Sequence, residues 1–137
     1  MMQTSHFQQL LRAAADQPAP QRLLFVFAGA ELPDRPTDEQ RARFAAGDGG
    51  ALTPLMCVDK APDELADFDA LVAESRQAGP AWQVLFAAGL TGFDGLPPTR
   101  SQIDPALEKM VNAVRLGSVG QFAAYNAAGE PIQIRER

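Results

Sequence analysis

Two short apolar runs constrain this chain more than any other feature. Leu23-Leu24-Phe25-Val26-Phe27-Ala28 leads into Gly29-Ala30-Glu31-Leu32-Pro33, and Trp82-Gln83-Val84-Leu85-Phe86-Ala87-Ala88 leads into Gly89-Leu90. Each follows a helical pattern across a proline-containing linker and then dissolves into small residues. An unbroken apolar run of this length, without alternation, reads as a fully buried strand. The chain therefore builds a sheet core, and the ends of its strands open into loops.

Composition supports a folded domain. Of 137 residues, 24 are alanine, so the informative count is 14 Leu, 3 Ile, 7 Val and 8 Phe, or 23% of the chain. That exceeds the roughly 20% below which chains tend to stay disordered. The length suits one domain, residues 1–137, with a single core that needs no disulfide or metal.

The spacing of the other apolar residues supplies the remaining elements. Ser5 and Gln8 have capping-box spacing, and Phe7, Leu10, Leu11 and Ala14 share a face, which predicts a helix over 5–15. Pro18 and Pro20 end it. Thr37 with Gln40 predicts a short second helix to Ala46, stopped by Gly47. A strand over 52–58 follows, with Pro54 near its start or on an edge. Pro62 opens a third helix carrying Leu65, Phe68, Leu71 and Val72 inward, terminated at Gly79-Pro80. After the strand over 82–88 comes a loop from Gly89 to Ser101. Asp104-Pro105 reads as the start of a fourth helix, and Gln121 to Arg135 reads as a hairpin turning at Gly129. The order α-β-α-β-α-β-α-β-β predicts an α/β or α+β domain. It has a mixed sheet of about five strands with helices packed on it.

Charge and cysteine content exclude several classes. The net charge is −5, and ten Arg with only Lys60 and Lys109 are scattered rather than clustered, so nucleic acid is not the expected partner. No apolar run approaches 18 residues, so no membrane span is expected. The polar Met1–Gln9 segment lacks the regions of a signal peptide, which makes the cytoplasm the expected compartment. One cysteine, Cys57, excludes an internal disulfide and any multi-cysteine metal site.

The candidate ligand-binding residues are Glu31, Cys57, Asp59 and Trp82. Cys57 and Asp59 close a strand just before a helix, where ligands often sit in sheets with helical crossovers. A nucleophilic thiol needs a stabilised thiolate, yet Asp59 opposes Lys60 and the only histidine is His6, so a buried structural thiol is expected. Asp59 is expected to cap the next helix or face solvent. Glu31 and Asp34 with Asp59 offer a cation only if they converge, which nothing in the sequence forces; no metal, cofactor or catalytic residue is assigned. No phosphate loop, dinucleotide fingerprint or nucleophile elbow is present. Phe93 and Leu96 either stand exposed on their loop or tuck beneath it. The terminal hairpin, with Phe122, Tyr125, Ile132 and Ile134, offers an edge for a protein partner or a homodimer.

Phe27-Ala28-Gly29-Ala30-Glu31-Leu32-Pro33, Leu55-Met56-Cys57-Val58-Asp59-Lys60-Ala61-Pro62 and Gly117-Ser118-Val119-Gly120-Gln121-Phe122 resemble a family of small proteobacterial proteins. Some of its members carry the label "ribonucleotide reductase subunit alpha". The resemblance spans nearly the whole chain and implies no site residue. A reductase catalytic chain needs a radical cysteine and a reducing cysteine pair, which one cysteine does not supply. The expected function is a non-catalytic cytoplasmic interaction or regulatory module. The alternative is a small-molecule-binding protein or minor enzyme with a pocket at the strand ends near Glu31, Cys57 and Asp59.

Overall fold

The computed structural model describes residues 6–31, 37–39 and 51–134. Its elements are α1 (His6–Ala15), β1 (Gln21–Glu31), β2 (Ala51–Lys60), a 3-10 turn (Pro62–Glu64), α2 (Phe68–Ala78), β3 (Val84–Thr91), α3 (Arg100–Leu116), β4 (Ala123–Asn126) and β5 (Pro131–Ile132). The strands form one sheet in the order β2-β1-β3-β4-β5. The helix expected over 37–46 lies largely outside the described residues.

The apolar run of β1 is continuous because this strand is central and covered twice. Leu23, Phe25 and Phe27 face a core shared with Phe7 and Leu11 of α1, Phe68, Leu71 and Val72 of α2, and Leu85 and Tyr125 from the sheet. Leu24, Val26 and Ala28 face the opposite core, built from Val84, Phe86 and Ala124 against Ile103, Leu107, Met110 and Val114 of α3. The arrangement is three layers: α1 and α2, then the sheet, then α3. Each large side chain fully buried in either core contributes roughly 1.5–3 kcal/mol.

The class is α+β with helices packed on a five-stranded sheet, as expected, but every pairing is antiparallel rather than mixed. The reason lies in one insertion. β2 and β3, joined by α2, both run opposite to β1 and so share a direction, but β1 lies between them. The strand–helix–strand pattern that suggests a parallel neighbour is here a split unit.

Two helix starts also differ from the sequence reading. Ala61 N–H donates to Glu64 Oε1, which closes a separate 3-10 turn at Pro62, and the helix restarts where Asp67 Oδ1 accepts from Ala70 N–H at 2.8 Å. α3 begins at Arg100, not Asp104, because Thr99 and Gln102 form a capping box and Gln102 Oε1 accepts from Thr99 N–H. Pro105 sits inside the helix. No helix of the described residues is long and apolar enough to cross a membrane.

Candidate functional site

The ends of β2 and β3 and the start of β1 meet at one end of the sheet, since Leu23 pairs with Lys60 and Gln21 with Thr91. Asp59 reaches this end on the α3 face, opposite Leu24. Its carboxylate is 11% exposed and held by two arginines: Arg22 Nε donates to Oδ2 at 2.7 Å, and an Arg100 terminal nitrogen donates to Oδ1 at 2.7 Å. Arg22 also reaches Glu64 at 2.9 Å, and Arg100 Nε reaches Asp104 at 2.7 Å. Partial burial alone would raise the Asp59 pKa, but the hydrogen bonds from Arg100 and Arg22 and their positive charges outweigh it and hold the carboxyl below its ordinary value.

Asp59 therefore neither caps a helix nor faces solvent. It ties β1, β2 and α3 together, and the three carboxylates of the cluster are each already held by an arginine. A general base or a metal ligand needs a lone pair free for substrate or ion, and both oxygens of Asp59 already accept from guanidinium groups. No group of three or more His, Cys, Asp and Glu among the described residues is placed to hold a metal ion.

Cys57 is exposed, which corrects the expectation of a buried structural thiol. β2 is the outermost strand of the described sheet, so its α3 face is only half covered. There the thiol opens onto a groove of about 430 Å³ between β2 and α3, walled by Leu107, Glu108, Val111, Asn112 and Arg115. Cys57 opposes Val26 and Asp59 opposes Leu24, so these two candidates share a face. Trp82 lies on the other face, packed edge-on to Phe27 with its indole N–H donated to Ser75 Oγ at 2.8 Å. Glu31 pairs with Ala51, seven residues and about 23 Å along β1 from Leu24, at the opposite end of the sheet. Asp34 lies outside the described residues. The four candidates form no common cleft.

The hairpin residues are likewise divided. Tyr125 is fully buried, with its hydroxyl 2.7 Å from His6 Nδ1 and its ring edge-on to Phe7, so its side chain offers nothing to a partner. It faces the α1–α2 core because it pairs with Leu85 across β3 and β4. Phe122, Ile132 and Ile134 are half-buried against the α3 core.

One site was not legible as a structured element. After β3, Gly92 N–H donates to Pro20 O, and Leu96 N–H donates to Phe93 O, each at 3.0 Å. Asp94 and Gly95 take φ of 54° and 75°, both left-handed, and Phe93 bridges to Leu96 in antiparallel fashion. This is a two-residue hairpin turn, and the Asp94-Gly95 pair is its ordinary sequence signal. Pro98 is buried and Thr99 caps α3, so the turn is anchored on both sides. At its tip Phe93 is 71% and Leu96 65% exposed. Comparison of the chain with protein-family models, curated proteins and solved structures finds no match to any of them.

Proposed function

We propose that this domain is a non-catalytic protein-interaction module that engages its partner through Phe93 and Leu96. The observation that carries this reading is the exposure of two large apolar side chains on a turn whose backbone is fixed. A single exposed apolar residue is ordinary on a folded domain, whereas Phe93 and Leu96 stand together on one turn. Here a left-handed Asp94-Gly95 pair, a close-packed Gly92 and a buried Pro98 hold both side chains outward. Preorganised aromatic and aliphatic anchors bind with little ordering cost, which is the usual character of an interface hot spot. The paired carboxylates of the Asp59 cluster support the same reading, because they leave the neighbouring charges to hold the scaffold. The alternative, a small-molecule pocket at the strand ends, draws less support, since Glu31 stands at the far end of the sheet from Cys57 and Asp59.

The test compares wild type with Phe93→Ser/Leu96→Ser. The melting temperature of the double variant is expected to stay close to that of wild type, because both side chains are already in water. Proteins captured from the native host by wild type and lost by the variant are then purified, and their affinities for both forms measured. An affinity at least about tenfold weaker for the variant supports the reading, corresponding to about 1.4 kcal/mol. Equal capture by both forms removes it.

A further inference from the structure

We propose that an extended segment of the partner adds as a strand to the outer edge of β3 at Ala88–Thr91, in a slot that ends beside Leu96. β1 flanks β3 along its whole length, but β4 flanks only its first half, Val84–Ala87. The burial of β3 changes at that boundary. Val84 to Ala87 are buried, whereas Ala88 and Leu90 are half-buried and Gly89 and Thr91 are exposed. Among the described residues, Ala88–Thr91 is therefore regular strand with a neighbour on one side only.

The phase of the ladder identifies the unused groups. Gly92 N–H donates to Pro20 O, toward β1. Alternate residues of an antiparallel strand turn their backbone groups the same way, so Ala88 and Leu90 also face β1. Gly89 and Thr91 turn theirs outward. At one end of this outer side Ala87 pairs with Ala123, and at the other Phe93 O accepts from Leu96 N–H. Between those two closures the N–H and C=O of Gly89 and Thr91 bond to no described residue. The chain leading into β4 leaves the gap open, because Phe122 N–H turns back to Val119 O.

Two backbone donors and two acceptors at strand spacing are what an added strand pairs with, main chain to main chain. The slot carries neither charge nor proline, the ordinary guards of an edge. Its protection is its length: Ala88–Thr91 spans roughly 13 Å at about 3.4 Å per residue, closed at both ends, and so admits one short segment instead of a growing stack. Residues opposite each other share a face. Partner residues facing Ala88 and Leu90 extend the α3 core, where both already pack, and are expected to be apolar. The one facing Gly89 meets no side chain, and a large or aromatic residue there covers the bare backbone. Beyond the slot the segment meets Leu96 and Phe93. The place of attachment rests on β3 alone, and only this continuation rests on the reading of Phe93 and Leu96 as contacts.

The probe is a short acetylated peptide alternating valine and threonine, with a central tyrosine and a lysine at each end. The control is the same peptide N-methylated at alternate residues. Amide hydrogen exchange of the full chain, read by NMR, tests the attachment, because bonded amides exchange slowly. In the free protein Gly89 and Thr91 are expected to exchange fast, and Ala88 and Leu90 slowly. Saturating peptide is expected to slow Gly89 and Thr91 at least about tenfold, and the control peptide to leave them unchanged. Gly89→Pro loses an outward N–H, so its melting temperature is expected to stay within a few degrees of wild type while the peptide and the captured partner are lost. Leu90→Pro loses an N–H that faces β1 and is expected to melt clearly lower. Slow exchange of Gly89 and Thr91 without peptide overturns the proposal, since the slot is then already filled, by a second copy if the slowing appears only at high protein concentration. So does a peptide that leaves both amides unchanged, or a control that binds equally. A partner retained by Gly89→Pro but lost by Phe93→Ser/Leu96→Ser removes the slot and keeps the tip. The reverse pattern keeps the slot and removes the tip.

Discussion

The hydroxyl of Tyr125 lies 2.7 Å from Nδ1 of His6, joining β4 to the first helix across 119 positions of sequence. Burial of the phenol beneath α1 pushes its pKa from 10.0 up to about 12. Since the folded value exceeds the unfolded one, this contribution to stability is complete below pH 10 and is lost as pH rises toward 12. Tyr125 is the only tyrosine, so absorbance at the tyrosinate band reads it alone. The native protein is expected to titrate near pH 12 or at its alkaline unfolding, and a midpoint near pH 10 with the fold intact refutes the buried placement. Tyr125→Phe is expected to cost about 1 kcal/mol in urea unfolding.

The Asp59 clamp sets the acid limb of stability. Its folded pKa lies below the ordinary 3.8, so its contribution is present above that value and drains away as pH falls through the lower, folded value. Asp59→Asn keeps the volume but leaves Arg22 and Arg100 facing a neutral amide. Denaturant unfolding at pH 7 is expected to show a loss of roughly 1–3 kcal/mol. The difference from wild type should shrink in acid. A difference constant with pH would show that the carboxylate charge contributes nothing.

Trp82 and Ser75 form a buried polar pair. Ser75 Oγ accepts from the indole and donates to Val72 O at 2.7 Å, so every polar hydrogen there is used. Ser75→Ala removes the acceptor and leaves the indole N–H unpaired in the core. The expected cost is about 1–3 kcal/mol in thermal or urea unfolding followed by fluorescence of this single tryptophan. An unchanged stability would mean that the indole finds water.

Gly92 holds the exposed turn closed. A Cβ added there would fall 1.8 Å from Leu96 O, which is backbone and has no way to yield without opening the turn. Gly92→Ala is expected to lower the melting temperature by several degrees, following a loss of about 2 kcal/mol. It should also weaken any partner that depends on Phe93 and Leu96. Gly95→Ala, with open space around it but φ of 75°, is expected to cost less.

The sheet was legible in the sequence because Leu23–Ala28 and Val84–Ala87 carry their burial in composition alone. What pairs with them was not. A run such as Leu55–Val58 has the same apolar character in a central or an edge strand, and only the strand order exposes Cys57. Tyr125 misled for the same reason: its place in a terminal hairpin suggested exposure, whereas its register against Leu85 turns it inward. Thr99-x-x-Gln102 and Asp94-Gly95 were readable signals outweighed by Pro105 and by the prolines around the loop. The site residues Glu31 and Asp59 looked adjacent as strand ends, which holds for parallel strands and fails for antiparallel ones.

The insertion of β1 between β2 and β3 has a consequence for how the chain reaches this state. Gln21 meets Thr91, so the strand carrying the largest apolar load precedes both of its neighbours in the chain and stays open on one side until β3 has been made. A nascent chain holds that run half-covered until β3 has emerged, and its second core waits for α3. Long-range pairing of this kind slows folding relative to local hairpins. The same residues that make the finished sheet stable are thus, during synthesis, the ones most in need of prompt cover.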